Sequence, residues 1–242
     1  MTHELIVCIP GPWPDRTDFL RRIIMLEPAG DYMFAGGILA HPGAKDHVPL
    51  DFYPPDIHMA NAFRIAGQGK ISEGTIEQIA RHTGIAYLHF PIDIRSQRER
   101  ILKFTQVLQR AGGFGVKLES CGIAHQWDRW FTLLSGKPFD IYSSAVVLIG
   151  DDKHYYSCGM HHFGLAECAA PRTLAPVDAA YLMNHFNMWR IVEQPHFESG
   201  HTFSLDVNSP RFRMFHENDS RHSSEELFFN THGFWRLALD SK

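Results

Sequence analysis

The chain has 242 residues, 44% of them hydrophobic, with a mean hydropathy of -0.21, enough for one large domain or two small ones. Its net charge is -4, with 23 Lys and Arg against 27 Asp and Glu, which argues against non-specific binding to nucleic acid or to an anionic membrane. The imbalance sits in residues 113–242, which hold 11 basic and 15 acidic residues; an acidic half suits a basic partner, and four charges are equally those of an ordinary soluble surface.

The first elements alternate between strand and helix. Glu4–Ile9 reads as a strand closed by Pro10-Gly11-Pro12; the N-terminus has no basic region ahead of its short apolar run and is read as a first strand, not a signal peptide. Asp15 or Thr17 can cap a helix that buries Phe19, Leu20, Ile23 and Ile24. Tyr32–Ala40 is a second strand, interrupted by Gly36-Gly37. Residues 41–57 carry four prolines and are expected to be a long exposed loop, with Phe52 and Tyr53 available to a partner. Asp56 opens a short helix with Met59, Ala62 and Phe63 inward. Ser72 caps a second helix, with Thr75 at its third position and Ile76, Ile79 and Ala80 inward. Ile85–Phe90 is a strand, and Arg95–Ala111 is the clearest helix, with Ile101, Phe104, Leu108 and Ala111 on one face.

Gly112 to Trp130 concentrates the residues that could do chemistry. Phe114, Val116 and Leu118 alternate as in a half-buried strand; Ser120-Cys121-Gly122 make a turn; Trp127, Trp130, Phe131 and Leu134 share a helical face. A thiol at the start of a helix is activated by the helix dipole, and a histidine one turn on can serve as its base. Cys121, His125 and Glu119 are therefore the catalytic set if the chain is a Cys/His or metal-assisted hydrolase. The alternative is that Cys121 is a small core residue in a tight turn.

Further on, Phe139–Ile149 is expected to be a strand with a central Ala145–Ile149 run. Asp151-Asp152 make a turn and His154–Gly159 pairs back as a hairpin. Pro176 opens a helix with Ala179, Leu182, Met183 and Phe186 inward. His201–Leu239 holds two or three strands around an acidic loop, with Glu217, Asp219, Glu225 and Glu226 as candidate partner-binding residues. The fold class is α+β, with mixed sheet covered by helices, in two β-α-β-rich parts, 1–112 and 113–242, or one continuous domain.

Metal and nucleotide motifs are incomplete. His161-His162 are adjacent and would point to opposite faces of a strand, and His125 could join them only by tertiary contact. No H-E-x-x-H, H-x-H or paired-Cys spacing is present, and no cofactor is expected. The four cysteines are spaced as free thiols of a reducing cytoplasm. Gly112-Gly113-Phe114-Gly115 precedes a strand, whereas a phosphate loop follows one and opens a helix.

Three blocks carry a family likeness: GVKLESCGIAH with Trp127 and Trp130, GMHHFGLAE at 159–167, and NTHGFWRL at 230–237. Together they resemble a bacterial family of unknown function associated with polymorphic toxins and type VI secretion. The resemblance implies a cytoplasmic, TsiT-like immunity protein that neutralises a nuclease-like toxin by binding it. It carries no established functional residues.

Overall fold

The computed structural model describes residues 4–26 and 30–240. It is an α+β fold built on a seven-stranded and a six-stranded sheet. The chain divides into two compact units, Met1–Gly136 and Lys137–Lys242. The expected boundary at 112 therefore falls inside the first unit. The reason is pairing: the strand after Gly113 joins the first strand, with Val7 opposite Leu118.

In the first unit β1 (Glu4–Gly11) lies inside the sheet, and Leu5, Val7, Cys8 and Ile9 are all fully buried. It is flanked by β5 (Gly84–Pro91) and β6 (Val116–Leu118); β7 (Ile123–His125) closes that edge. On the other side run β4 (Asp46–Tyr53), β3 (Ile38–His41) and β2 (Met33–Ala35), and every pairing is antiparallel. Gly36 and Gly37 both have positive φ, 59° and 82°, as a two-residue hairpin turn requires, so the expected second strand is two strands.

The expected loop 41–57 is largely β4. Val48 and Leu50 point inward while His47, Pro49 and Asp51 face out, the alternation of a half-buried strand. Pro49 sits opposite Ile38 on the outward face and costs the ladder one donor without stopping the strand.

The helices follow their apolar stripes. In α1 (Arg16–Leu26) only Phe19 and Ile23 are buried; Leu20 is half-buried and Ile24 is 56% exposed, so the inward stripe is narrower than expected. In α2 (Met59–Gly67) and α3 (Glu73–Ala80), Met59, Phe63, Ile76 and Ile79 pack with Cys8 and Ile85 of the sheet. Ser72 Oγ accepts from Thr75 N at 3.3 Å, the expected cap. The long α4 (Ile94–Arg110) buries Ile101, Phe104 and Leu108. Trp130 of α5 (Trp127–Ser135) donates from Nε1 to Thr105 Oγ1 of α4 at 3.1 Å.

The second unit opens with a helix where a strand was expected. Phe139–Ala145 lies in α6 (Pro138–Ala145), because Pro138 suits a first turn and Asp140 accepts from Lys137 N at 2.8 Å. The strand begins only at β8 (Val147–Gly150), which is an edge of the sheet rather than its centre. Its hairpin partner is β9 (His154–Cys158), followed by β10 (Glu167–Pro171). Beyond β10 come β13 (Phe234–Leu239), β12 (Phe212–Glu217) and β11 (Thr202–Phe203). β10 and β13 are parallel and the rest antiparallel, so this sheet is mixed. The expected helix is α7 (Pro176–Val192); Ala179, Leu182, Met183 and Phe186 pack on Cys168, Ala170, Met214 and Leu237.

Candidate functional site

The residues expected to form a catalytic set do not meet at a helix start. Gly122, at φ 67°, turns the chain back so that Ile123–His125 is a strand, with Val116 opposite His125. Cys121 lies in this hairpin turn, 1% exposed, and α5 begins only after Gln126. His125 is 2% exposed and its ring stacks on Trp130 at 5.9 Å. Glu119 pairs with Lys117, and it acts electrostatically on Cys8. Burial pushes the Cys8 thiol well above its ordinary range, and Glu119 adds to the effect. At Cys8 these features favour the thiol over the thiolate.

A cluster in the second unit was not anticipated. Glu167, on β10, is 2% exposed. Its Oε2 accepts from Ser157 Oγ at 2.7 Å. Its Oε1 accepts from Gly159 N (3.0 Å), Met160 N (2.9 Å), His161 Nδ1 (3.3 Å) and Asn230 Nδ2 (3.0 Å). Burial opposes the charge, but the bonds from His161, Ser157 and Asn230 outweigh it and hold the carboxyl below its ordinary 4.5. Because a carboxylate only accepts, His161 carries its proton on Nδ1.

The two adjacent histidines sit in a short 3-10 turn, Met160–Phe163, not on a strand, and their rings are 4.2 Å apart. Gly159 permits the turn: its φ is 121°, and a Cβ there would lie 2.0 Å from Ala145 O. Burial and the neighbouring His161 hold His162 well below its ordinary 6.5, against a hydrogen bond to the Ala145 backbone. His161 is thus committed to Glu167, and His125 belongs to the other unit. Among the described residues no group of three or more His, Cys, Asp or Glu is arranged to hold a metal ion.

The cluster ties down the acidic loop. Asn230 Nδ2 donates to Leu165 O (2.9 Å) as well as to Glu167, while Asn230 N donates to Asp219 Oδ2 at 3.2 Å. Asp219 Oδ1 accepts from Arg221 N at 3.0 Å, and Arg221 Nε lies 3.4 Å away. The Arg221 guanidinium lies over the rings of Tyr156 and Phe234, 4.5 Å from each. Residues 219–230 are therefore an Ω-loop whose two ends are joined by the Asn230 backbone amide donating to the Asp219 carboxylate, a class of surface segment that is frequently functional.

The expected partner-binding residues divide accordingly. Glu225 and Glu226 are exposed at the loop tip, beside Leu227 (48%) and Phe228 (37%). Glu226 also contacts His222 Nδ1 at 3.1 Å. Asp219 is a correction: its side chain is 0% exposed, because it closes the neck. Glu217 is half-buried and paired with Arg236 at 2.7 Å. Phe52 is also corrected, since on β4 it packs against Phe19 with ring centres 5.5 Å apart. Tyr53 does remain exposed, at 52%.

Each unit carries an open cleft. In the first, a cleft of about 600 Å³ is bordered by Glu4, Asp46, His89 and Arg100. Within its lining Arg100 pairs with Asp46 at 2.8 Å, and His89 Nδ1 lies 2.9 Å from Glu4. In the second, a cleft of about 490 Å³ lies beside the loop neck, bordered by Asp151, Asp152, Lys153, Glu217, Ser220 and Arg221. Cys121, His125 and Glu119 line neither.

Sequence reasoning missed Glu167, Asn230 and Ser157, although two of the three family-like blocks meet at the Glu167–Asn230 bond. A signal was present: Glu167 is a single acid within the otherwise apolar run Leu165–Ala170. Among the described residues no helix is long and apolar enough to cross a membrane. Comparisons with protein-family models, with curated proteins and with solved structures find no match to this chain.

Proposed function

We propose that the chain is an immunity protein: it binds a basic, nuclease-like bacterial toxin of a type VI secretion setting in the cytoplasm and neutralises it by protein–protein contact. The observation that carries this reading is the neck-closed loop 219–230, which presents Glu225, Glu226, Leu227 and Phe228 to solvent. An interface needs a few apolar anchors inside a charged rim, and this tip offers both within four residues.

Charge supports the same reading. Residues 137–242 hold 9 basic and 13 acidic residues and so carry the whole net charge of -4, while residues 1–136 are balanced. An acidic unit speeds encounter with a basic partner and disfavours direct contact with nucleic acid. The reading requires no cofactor, because binding alone neutralises the toxin.

The test is co-expression and co-purification with the toxin encoded beside this chain's gene. The expected result is a complex that survives affinity purification and rescues growth. Absence of both the complex and the rescue overturns the reading.

A further inference from the structure

We infer that Asp219 and Asn230 are positioning residues that hold the loop tip in one conformation in the free chain, so that the tip meets its partner already ordered. The inference rests on the immunity reading for its purpose, but the ordering itself is a property of the chain alone. The geometry is a chain of side-chain bonds from the core to the surface. Glu167 accepts from Asn230 Nδ2, Asn230 N donates to Asp219, and Asp219 accepts from the backbone of Arg221. Arg221 is in turn held over Tyr156 and Phe234.

Neither Asp219 nor Asn230 is placed to reach a partner as the tip is: Asp219 is 9% exposed and Asn230 is 1% exposed. Their roles are also complementary. Asp219 joins the two ends of the loop across eleven positions, and Asn230 fixes the joined ends to β10 and to Leu165 O. Gly233 completes the neck: its φ is 71°, and a Cβ there would lie 2.2 Å from Glu217 O. A loop closed in this way loses little conformational freedom on binding, which chiefly slows dissociation. The exposed Glu225 and Glu226 instead govern encounter, and their effect depends on salt.

Two variants separate these roles: Asp219→Asn, which weakens the closure, and Asn230→Ala, which cuts the attachment to Glu167 while keeping its backbone donor. Hydrogen exchange on the full free chain is the first readout. In Asp219→Asn the Arg221 and Asn230 amides should exchange about tenfold faster, while amides of β12 and β13 stay at their wild-type rates. Unchanged loop amides overturn the inference, and so does equal acceleration of loop and sheet, which would make the neck merely part of the fold.

Binding kinetics with the neighbouring toxin are the second readout. Both variants should dissociate about tenfold faster at an unchanged association rate and salt dependence. Glu225→Lys should do the reverse, slowing association. A wild-type chain that never binds the toxin defeats the immunity reading, and the exchange experiment then decides the neck independently.

Discussion

Two segments, 41–57 and 217–228, look alike as sequence: each is polar, interrupted by turn residues, and preceded by a strand. In the structure they part completely. The first supplies β4, an interior strand whose Val48 and Leu50 are buried. The second leaves its sheet after Glu217 and continues as a loop held by Asp219 and Asn230. The difference lies in what each can bury. Val48 and Leu50 alternate with outward-facing residues and so form an apolar face, and of the four prolines only Pro49 falls within the strand. Residues 217–226 hold no such alternation, and their order comes from buried polar bonds instead.

That contrast can be tested by removing each kind of anchor. Replacing Glu167 by Ala leaves five donors without their acceptor and should have the largest effect, about 4 kcal/mol of destabilisation in the second unit. Hydrogen exchange across β9, β10 and β13 would register it. An effect under about 1 kcal/mol would mean the cluster is replaceable. Leu50→Ala should cost about 3 kcal/mol in the first unit, measured by denaturant unfolding, because a fully packed strand residue leaves a cavity. A loop-like cost near zero would break the comparison.

Acidification should affect the second unit next. His162 has its folded-state value lowered below 6.5, so the unfolded chain takes up its proton first, and stability present above pH 6.5 is lost as pH falls below it. Glu167 is likewise lowered, and its contribution is lost as pH falls below 4.5. Unfolding curves of His162→Gln should lose the upper part of this dependence.

At the small end, Leu227→Ala should change stability by less than about 0.5 kcal/mol, since its side chain is 48% exposed. For the first unit's expected catalytic stretch the forecast is chemical silence. Cys8, Cys121, Cys158 and Cys168 are all buried, so none should react with a thiol reagent until the chain is denatured. Rapid labelling of Cys121 in the native protein would return attention to that turn.

Much of the fold was legible where one local signal suffices. Ser72 and Thr75 marked a helix start, Gly36-Gly37 marked a break, and Pro176 opened a helix whose stripe is buried as expected. Two errors came from weighing composition over position. The prolines of 41–57 hid a strand, and the β-rich residues 139–146 hid a helix that Pro138 and Asp140 begin. The catalytic stretch was misread by one element, since Gly122 makes a hairpin where a helix start was expected.

The site was less legible, for a physical reason. Glu167 is satisfied by Ser157, ten positions before it, and by Asn230, 63 positions after it, and neither distance has a sequence period. Asp219 reads as a surface acid among Glu217, Glu225 and Glu226, yet it is the one that closes the neck. Of these four acids, the exposed placement of Glu225 and Glu226 could be read from the pattern alone.

The most direct measurement is the affinity of the full chain for the toxin partner proposed above, before and after Glu225→Lys, Glu226→Lys and Phe228→Ala are combined at the loop tip. Tight wild-type binding, weakened about 100-fold or more by the combined change at an unaltered unfolding midpoint, is the predicted result. Wild-type affinity in the altered chain, or no binding by the wild-type chain, would contradict the account.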